Sequence, residues 1–351
     1  WVDLCIVIAH PWWAPSKVFS LPICMRLYRN RQGLTKGKNK KVKRLTAAQK
    51  KAASNKTKRA AAQKRQAKAN AKKNRQGSES PHKTRPELMA EMITLVASWF
   101  PDRQFVLVVD SLYSGKSVLS KLPDNFDLIG PVHSKAALYH PAPEETAVRR
   151  GPRRKKGERL PDVKSWEKDS SKWSTHHFDQ YGLHGSLQTK TNTGLYYKAG
   201  NDRLLRFVIS RDTVGDRPTR IFYSTNVDLK AREILSLFSL RWSIEVTHFD
   251  CKQHLGLEDA ANRKEQAVKR TAPMAMFLHS LTVVWYASDG HKDFQIPDRP
   301  WYWWKTEPSF ADMLTTLRRK SWEDKLSTVS LDTTQREDNL NLLTYLATLA
   351  G

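Results

Sequence analysis

The chain is short of cysteine, of long apolar runs and of acid. Cysteine occurs three times in 351 residues (Cys5, Cys24 and Cys251), with no CxxC spacing and no histidine cluster alongside. That excludes a disulfide framework and a zinc site of ordinary spacing, and it fits a reducing compartment. The longest apolar run, residues 272–286, is too short to cross a bilayer and contains His279 and Ser280, so it reads as a core helix. Residues 1–8 are apolar but few, with no basic stretch before them. No signal peptide is visible, and a soluble cytoplasmic protein is expected. No initiator methionine precedes Trp1, and the chain opens directly in a strand-like run, so an upstream segment is expected to be missing. Acid is outnumbered: 35 Asp and Glu face 60 Lys and Arg, a net charge of +25 that asks for a polyanionic partner.

What is present is enough for a folded protein. The length allows one large domain or two ordinary ones, and twelve tryptophans supply core. The charge is unevenly placed. Residues 36–85 hold 19 Lys and Arg against one acid, Glu79, and the rest of the chain is only mildly basic. This stretch is rich in Lys, Ala, Gln and Asn and has no apolar face to bury, so it reads as a flexible basic insertion that binds nucleic acid without sequence preference. Its KKVKR string at 40–44 carries little meaning as an address in such a background.

Outside it, patterns of α/β type appear. Residues 2–9 look like a strand, followed by the turn HPWWAP and a short apolar segment. Thr84-Arg-Pro-Glu87 has capping-box form, and the helix after it places Leu88, Met92, Leu95, Val96 and Trp99 on one face. A strand at 105–110, a short helix at 116–122 and a strand at 126–129 follow, an order that predicts parallel pairing. Residues 133–228 change character, with β-like runs at 195–198, 204–210 and 220–224 between Gly, Asn and Asp turns. They read as a β-rich insertion. Residues 229–289 are strongly helical, and further helices are expected at 310–319 and 340–349.

Two places carry chemistry. In FSLRWSIEVTHFDCK, residues 238–252, Phe238, Arg241, Glu245 and Lys252 stand at offsets 0, 3, 7 and 14. At about 100° per residue on a helix they fall at roughly 0°, 300°, 340° and 320°, within one narrow arc. Upstream, the apolar run 105–109 ends on Asp110, an acid at the tip of a buried strand. Two carboxylates for Mg²⁺ and flanking cations for phosphate oxygens are the components of metal-assisted phosphate chemistry. Each acid has a plainer reading. Asp110 alone reads as an N-cap, and Glu245 alone as the i−4 salt-bridge partner of Arg241. The combination favours the functional reading.

The spacing aromatic-x2-Arg-x3-Glu-x6-Lys resembles the Tyr-Arg-Glu-Lys signature of DDE transposases of the insertion-sequence IS-four type, in the RNase H-like/retroviral integrase superfamily. The string RWSIEVTHFDCKQHLGLEDAANRKEQAVKRTAP is similar to the third-acid region of that group, and VLVVDSLYSGK to its second-acid strand. The resemblance implies an RNase H-like core interrupted by a β-rich insertion, with a helical C-terminal region. The corresponding organisation is a partial core at 1–35, the basic insertion at 36–85, core with the second acid at 86–132, the β insertion at 133–228, the third-acid helix at 229–265 and a helical region at 266–351. It implies a recombinase that acts as a homodimer on terminal inverted repeats and target DNA, associated with the nucleoid of a bacterial-type cell, with no membrane involved. A two-metal site of Mg²⁺ or Mn²⁺ would cut the DNA, and the freed 3′-OH would attack the target.

Carried over by motif, Asp110 is the second catalytic, metal-binding acid and Glu245 the third, while Arg241 and Lys252 hold DNA phosphates. Phe238 replaces the usual tyrosine and keeps the ring without its hydroxyl. The basic cluster Arg149, Arg150, Arg153, Arg154, Lys155 and Lys156 is a further DNA contact, against the alternative of a solvated loop. Trp166, Trp173 and Tyr196 weigh base stacking against core packing, and the Trp301–Trp304 knot reads as core or dimer contact. The first acid is absent: no Asp-Asp-Thr string occurs, and Asp3 falls where the resemblance places an apolar residue. Asp3 therefore reads as incidental, and the chain as an inactive fragment of a transposase. The alternative is a non-catalytic DNA-binding remnant of a decayed mobile element. A basic RNA-binding protein is a third possibility, and the lack of RNP-type aromatic strings argues against it.

Overall fold

The computed structural model describes residues 1–29, 82–143, 154–171, 173–180, 183–212, 218–259, 264–295, 304–327, 335 and 339–342. The fold is mixed α/β, with a curled six-stranded sheet and a helical C-terminal region, an arrangement consistent with an RNase H-like core. Most of the basic stretch 36–85, residues 301–303 of the tryptophan knot and residues 343–349 of the last expected helix lie outside the described residues. Residues 28–84 form a unit of their own. Among its described residues, His82 donates from Nε2 to the Arg29 carbonyl (2.9 Å) and sets its ring edge against Tyr28.

The rest of the chain holds two sheets. β1 (Val2–Ala9) and β2 (Val18–Arg26) form an antiparallel pair. Their connection is fixed by His10, which takes a positive φ and donates from Nδ1 to the Pro15 carbonyl (2.8 Å). Helix α1 (Arg85–Trp99), opened by a proline at its second position, buries Leu88, Met89, Met92, Ile93 and Val96. Next come β3 (Phe105–Val108) and β4 (Phe126–Val132), which pair in parallel and stack Phe105 on Phe126.

The segment after β4 does not stand apart from this core. β5 (Ser174–Gln180), β6 (Leu183–Leu195), β7 (Leu204–Asp212) and β8 (Arg220–Ser224) continue the same sheet in the order β3-β4-β8-β7-β6-β5. Among the described residues parallel pairing is confined to β3 and β4; β4 pairs antiparallel with β8, and β5 to β8 follow one another as antiparallel neighbours. β6 ends where a strand was expected to begin: residues 197–200 form a helical turn.

The expected helix through 238–252 is two. α2 (Ala231–Ser239) passes through a 3₁₀ turn (Leu240–Trp242) into α3 (Ser243–Leu255), which Gly256 ends in the left-handed conformation. α4 (Glu265–Ser288) and α5 (Phe310–Ser327) complete the fold. One core gathers Ile129, Val208 and Phe222 of the sheet with Ala231, Ile234 and Leu235 of α2. A second gathers Phe19 and Leu21 of β2 with Val283 and Tyr286 of α4 and Phe310 and Met313 of α5. α4 is core on one side only; Met274, Phe277, Leu278, Leu281 and Val284 are exposed. No helix among the described residues is long and apolar enough to cross a membrane.

Ile234 is fully buried where α2 meets the sheet. Ile234→Ala is expected to cost about 2–5 kcal/mol, through lost transfer energy and the cavity left behind. Urea denaturation should show it as a lower midpoint with an unchanged slope.

Candidate active site

A cavity of about 410 Å³ lies between the two sheets. Consecutive residues of β1 (Asp3 to Val7 without a gap) and of β3 line it, so these strands turn their edges to it rather than one face. α1 adds Met89 and Val96, and the α2–α3 arm adds Leu237, Leu240 and Ile244. Asp3, Asp110, Tyr113 and Arg241 are the ionisable groups of its rim besides Cys5.

Asp110 follows β3 by two residues. The Val109 amide still donates to Ile129 (3.0 Å), so the carboxylate emerges where the parallel ladder ends. Its Oδ1 accepts from the Leu112 amide (2.8 Å) and, at 3.3 Å, from the Tyr113 amide. Asp110 thus closes a turn with one oxygen and is not the N-cap of the helical turn at 116–119, which begins after Gly115 without a side-chain cap. The turn is held from below by Tyr223, fully buried, whose hydroxyl donates to the Ser114 carbonyl (2.9 Å). The Tyr113 phenol is pushed above its ordinary pKa by burial first, then by the charges of Asp110 and Asp3, against a smaller pull from Arg85. Asp3 and Asp110 therefore both act on one phenol.

Glu245 sits in the first turn of α3, where the helix dipole favours an anion. Arg241 donates to its Oε1 from Nη1 (3.2 Å) and Nη2 (3.3 Å). Arg241 also lines the cavity that Asp110 lines, and so it connects the two motifs. Phe238 faces inward: its ring lies against Phe222 (4.5 Å between centroids), with the Arg241 guanidinium 5.8 Å from the ring centre. The ring packs without needing the hydroxyl that tyrosine would bring. Lys252, three turns along α3, is paired with Glu258 (2.6 Å).

Asp3 has more partners than the sequence suggested. Its Oδ2 meets His248 Nε2 at 2.7 Å, one turn beyond Glu245, while Oδ1 is buried with no hydrogen-bond partner. Beside it α3 is bound to β2: Thr247 donates to the Ser20 carbonyl (2.9 Å), and the Ser20 and Ser243 hydroxyls are hydrogen-bonded to each other. Cys24 and Cys251 are buried and Cys5 is half-buried; the Cys251 thiol is pushed up to about 12, first by burial.

Of the basic cluster, Arg149, Arg150 and Arg153 lie outside the described residues. Lys156 places its ammonium 3.7 Å from the centre of the Tyr139 ring, and Arg154 and Lys155 line a cavity with Tyr197 and Asn201. Arg154, Lys155 and Lys156 do not line the Asp110 cavity. Trp166 is buried, and Trp173 is covered by Arg211, 3.9 Å from its ring centre, so both are engaged within the protein.

Among the described residues, no three of His, Cys, Asp and Glu gather in a group that could hold a metal ion. Donor chemistry alone permits Mg²⁺, which is commonly bound by one or two carboxylates, with water and substrate phosphate completing six oxygens.

A family model described as DDE superfamily endonuclease matches residues 2–194, and one described as archaeal putative transposase ISC1217 matches residues 193–288. The chain belongs to the DDE superfamily of endonucleases. The first match contains Asp110, and the second contains Phe238, Arg241, Glu245 and Lys252, so the two meet near the middle of the chain and divide the acids between them. No curated protein matches. DDE membership supports a transposition function and a DNA substrate.

Asp110→Asn removes one of the two negative charges that keep Tyr113 protonated, so that phenol should titrate at lower pH. A spectrophotometric difference titration against Tyr113→Phe reads this, and an unmoved Tyr113 would place Asp110 out of electrostatic reach. The sign for stability follows: a raised phenol pKa stabilises the fold below about pH 10, and the contribution is lost as pH rises through the folded-state value.

Proposed function

We propose that the chain is a transposase of the IS-four type, cutting DNA with Asp110, Glu245 and a third carboxylate carried on a segment upstream of Trp1. The observation that supports this reading is Arg241, which lines the Asp110 cavity and holds Glu245 at the same time. Residues 131 positions apart in sequence thereby share one place.

The Arg241–Glu245 pair is weak by construction. Arginine precedes glutamate at i,i+4, the less favourable order, and both side chains are partly exposed. Such a pair contributes about 0.3–0.5 kcal/mol, while a guanidinium hydrogen-bonded to an anionic phosphate gains about 1.5–3 kcal/mol. An arriving phosphate therefore takes Arg241 and releases the Glu245 carboxylate. Lys252, exposed and held only by exposed Glu258, is available to phosphate in the same way. A divalent ion, when bound, supplies Lewis acidity at the scissile phosphate and a hydroxide at neutral pH. Asp110 brings a carboxylate already oriented by two backbone amides and by the Tyr223 anchor. The basic stretch 36–85 adds affinity that does not depend on sequence, and deleting it should flatten the dependence of DNA affinity on salt.

The absence of a three-acid group among the described residues favours a second reading for the chain as it stands, a non-catalytic DNA-binding remnant. One experiment separates the two. The chain is extended upstream by a strand bearing Asp-Asp-Thr and incubated with Mg²⁺ and a plasmid carrying the DNA that flanks the reading frame. Nicking at the flanks is expected, with Asp110→Ala and Glu245→Ala lowering the rate by about a thousandfold or more while binding persists. If either variant still cuts, the residue assignment fails. If the extended chain binds and never cuts, the remnant reading stands.

A further inference from the structure

α4 is packed into its own fold along one side and bare along the other. Ala272, Ala275, Met276, His279, Val283 and Tyr286 face inward. On the outer side every exposed residue from 271 to 287 is apolar: Met274, Phe277, Leu278, Leu281 and Val284. Met274 and Phe277 are each 55% exposed. Single exposed apolar residues are ordinary, but a contiguous stripe with no polar member marks a contact surface.

The spacing of the stripe says what it contacts. Met274, Phe277, Leu281 and Val284 follow one another at steps of three, four and three residues. That is the seam by which one helix packs along another. The seam is also symmetric along the chain. Met274 and Val284 stand equally far from position 279, and so do Phe277 and Leu281. The same helix turned end for end therefore presents apolar residues at the same heights. Self-complementarity of this kind is what a two-fold contact between identical chains requires.

The charges at the two ends give the direction. A helix dipole favours cations at the C-terminal end and acids at the N-terminal end. α4 has Lys264, Lys269 and Arg270 around its first two turns against one acid, Glu265. Its last turn holds no basic residue, and Asp289 follows it. An antiparallel second copy sets the acidic, dipole-negative end of each helix beside the basic end of the other. Lys269 and Asp289 stand equally far from position 279 and so meet in that pair. Parallel copies would put like ends together. A lipid surface fits less well, because the acidic end of the stripe would lie against anionic headgroups.

We infer that two copies of this chain associate without DNA by laying α4 against α4, antiparallel, about a two-fold axis at the level of residue 279. Met274 packs on the partner's Val284, and Phe277 on the partner's Leu281. The stripe shares no residue with the Asp110 cavity, so this contact stands or falls apart from the transposase reading.

Sedimentation equilibrium of the full chain, freed of nucleic acid by nuclease treatment, should give twice the mass of one chain. Phe277→Glu combined with Leu281→Glu changes only exposed positions and should leave the circular dichroism spectrum as it was. It should raise the dimer dissociation constant by about thirtyfold or more. Lys269→Glu should weaken the dimer, and adding Asp289→Lys to the same chain should restore it. For the direction, Met274→Cys and Val284→Cys chains should crosslink on oxidation when mixed, and neither should crosslink alone. A monomer at every concentration would overturn the proposal, whether the stripe is bare or covered by the chain's own segments. So would a dimer untouched by the double glutamate variant, Met274→Cys crosslinking to itself, or binding to anionic phospholipid vesicles in place of self-association.

Discussion

The α2–α3 arm is the constraint on which the rest depends. It is one covalent piece that passes through a 3₁₀ turn, with an end fastened to each sheet. Ile234 and Leu235 bury α2 against Ile129, Val208 and Phe222 of the six-stranded sheet. Ser243, Thr247 and His248 fasten α3 to Ser20 of β2 and Asp3 of β1. With both ends fixed, Arg241 in the 3₁₀ turn falls on the cavity and Glu245 stands one turn beyond it. Burying a large aliphatic side chain contributes about 1.5–3 kcal/mol, several times an exposed ion pair. Packing therefore decides where the acids go, and the charges follow.

The same constraint explains why the polar groups collect at one end of an otherwise apolar cavity. β3 delivers Asp110 at its C-terminal tip, Tyr223 secures the turn behind it, and the α2–α3 arm brings Arg241 to the same cavity. Asp3 is buried against His248, whereas the Arg241–Glu245 pair is partly exposed and weak, so it is the pair an incoming phosphate can rearrange. The backbone that presents them is held by buried hydrogen bonds and does not have to move.

Much of this was legible in the sequence because apolar runs dominate where the core is. β1, β3 and β4, and the helix after Thr84, follow from runs and capping residues, and the acid at the tip of β3 is visible as the residue that ends one. β5 and β6 were not legible, since STHHFDQ and LHGSLQTKTNTGL are polar on the face that meets solvent and their pairing supplies the order. The 3₁₀ turn at 240–242 carries no glycine or proline, so no helix-breaking residue in the sequence marks it. Asp3 read as incidental because its partner His248 is 245 residues away. The basic cluster was visible as charge, yet only Arg154, Lys155 and Lys156 among the described residues have a place, and it is away from the cavity.

The central proposal is that Asp110 and Glu245 together bind the divalent metal. Replacing Mg²⁺ by Fe²⁺ with ascorbate and peroxide generates hydroxyl radicals at the ion and cuts the polypeptide beside its ligands. Cuts mapped by mass spectrometry should fall next to both Asp110 and Glu245, fade as Mg²⁺ is added, and disappear from both places in Asp110→Ala. Cuts at neither residue, or cuts beside Glu245 that persist in Asp110→Ala, would contradict the pairing.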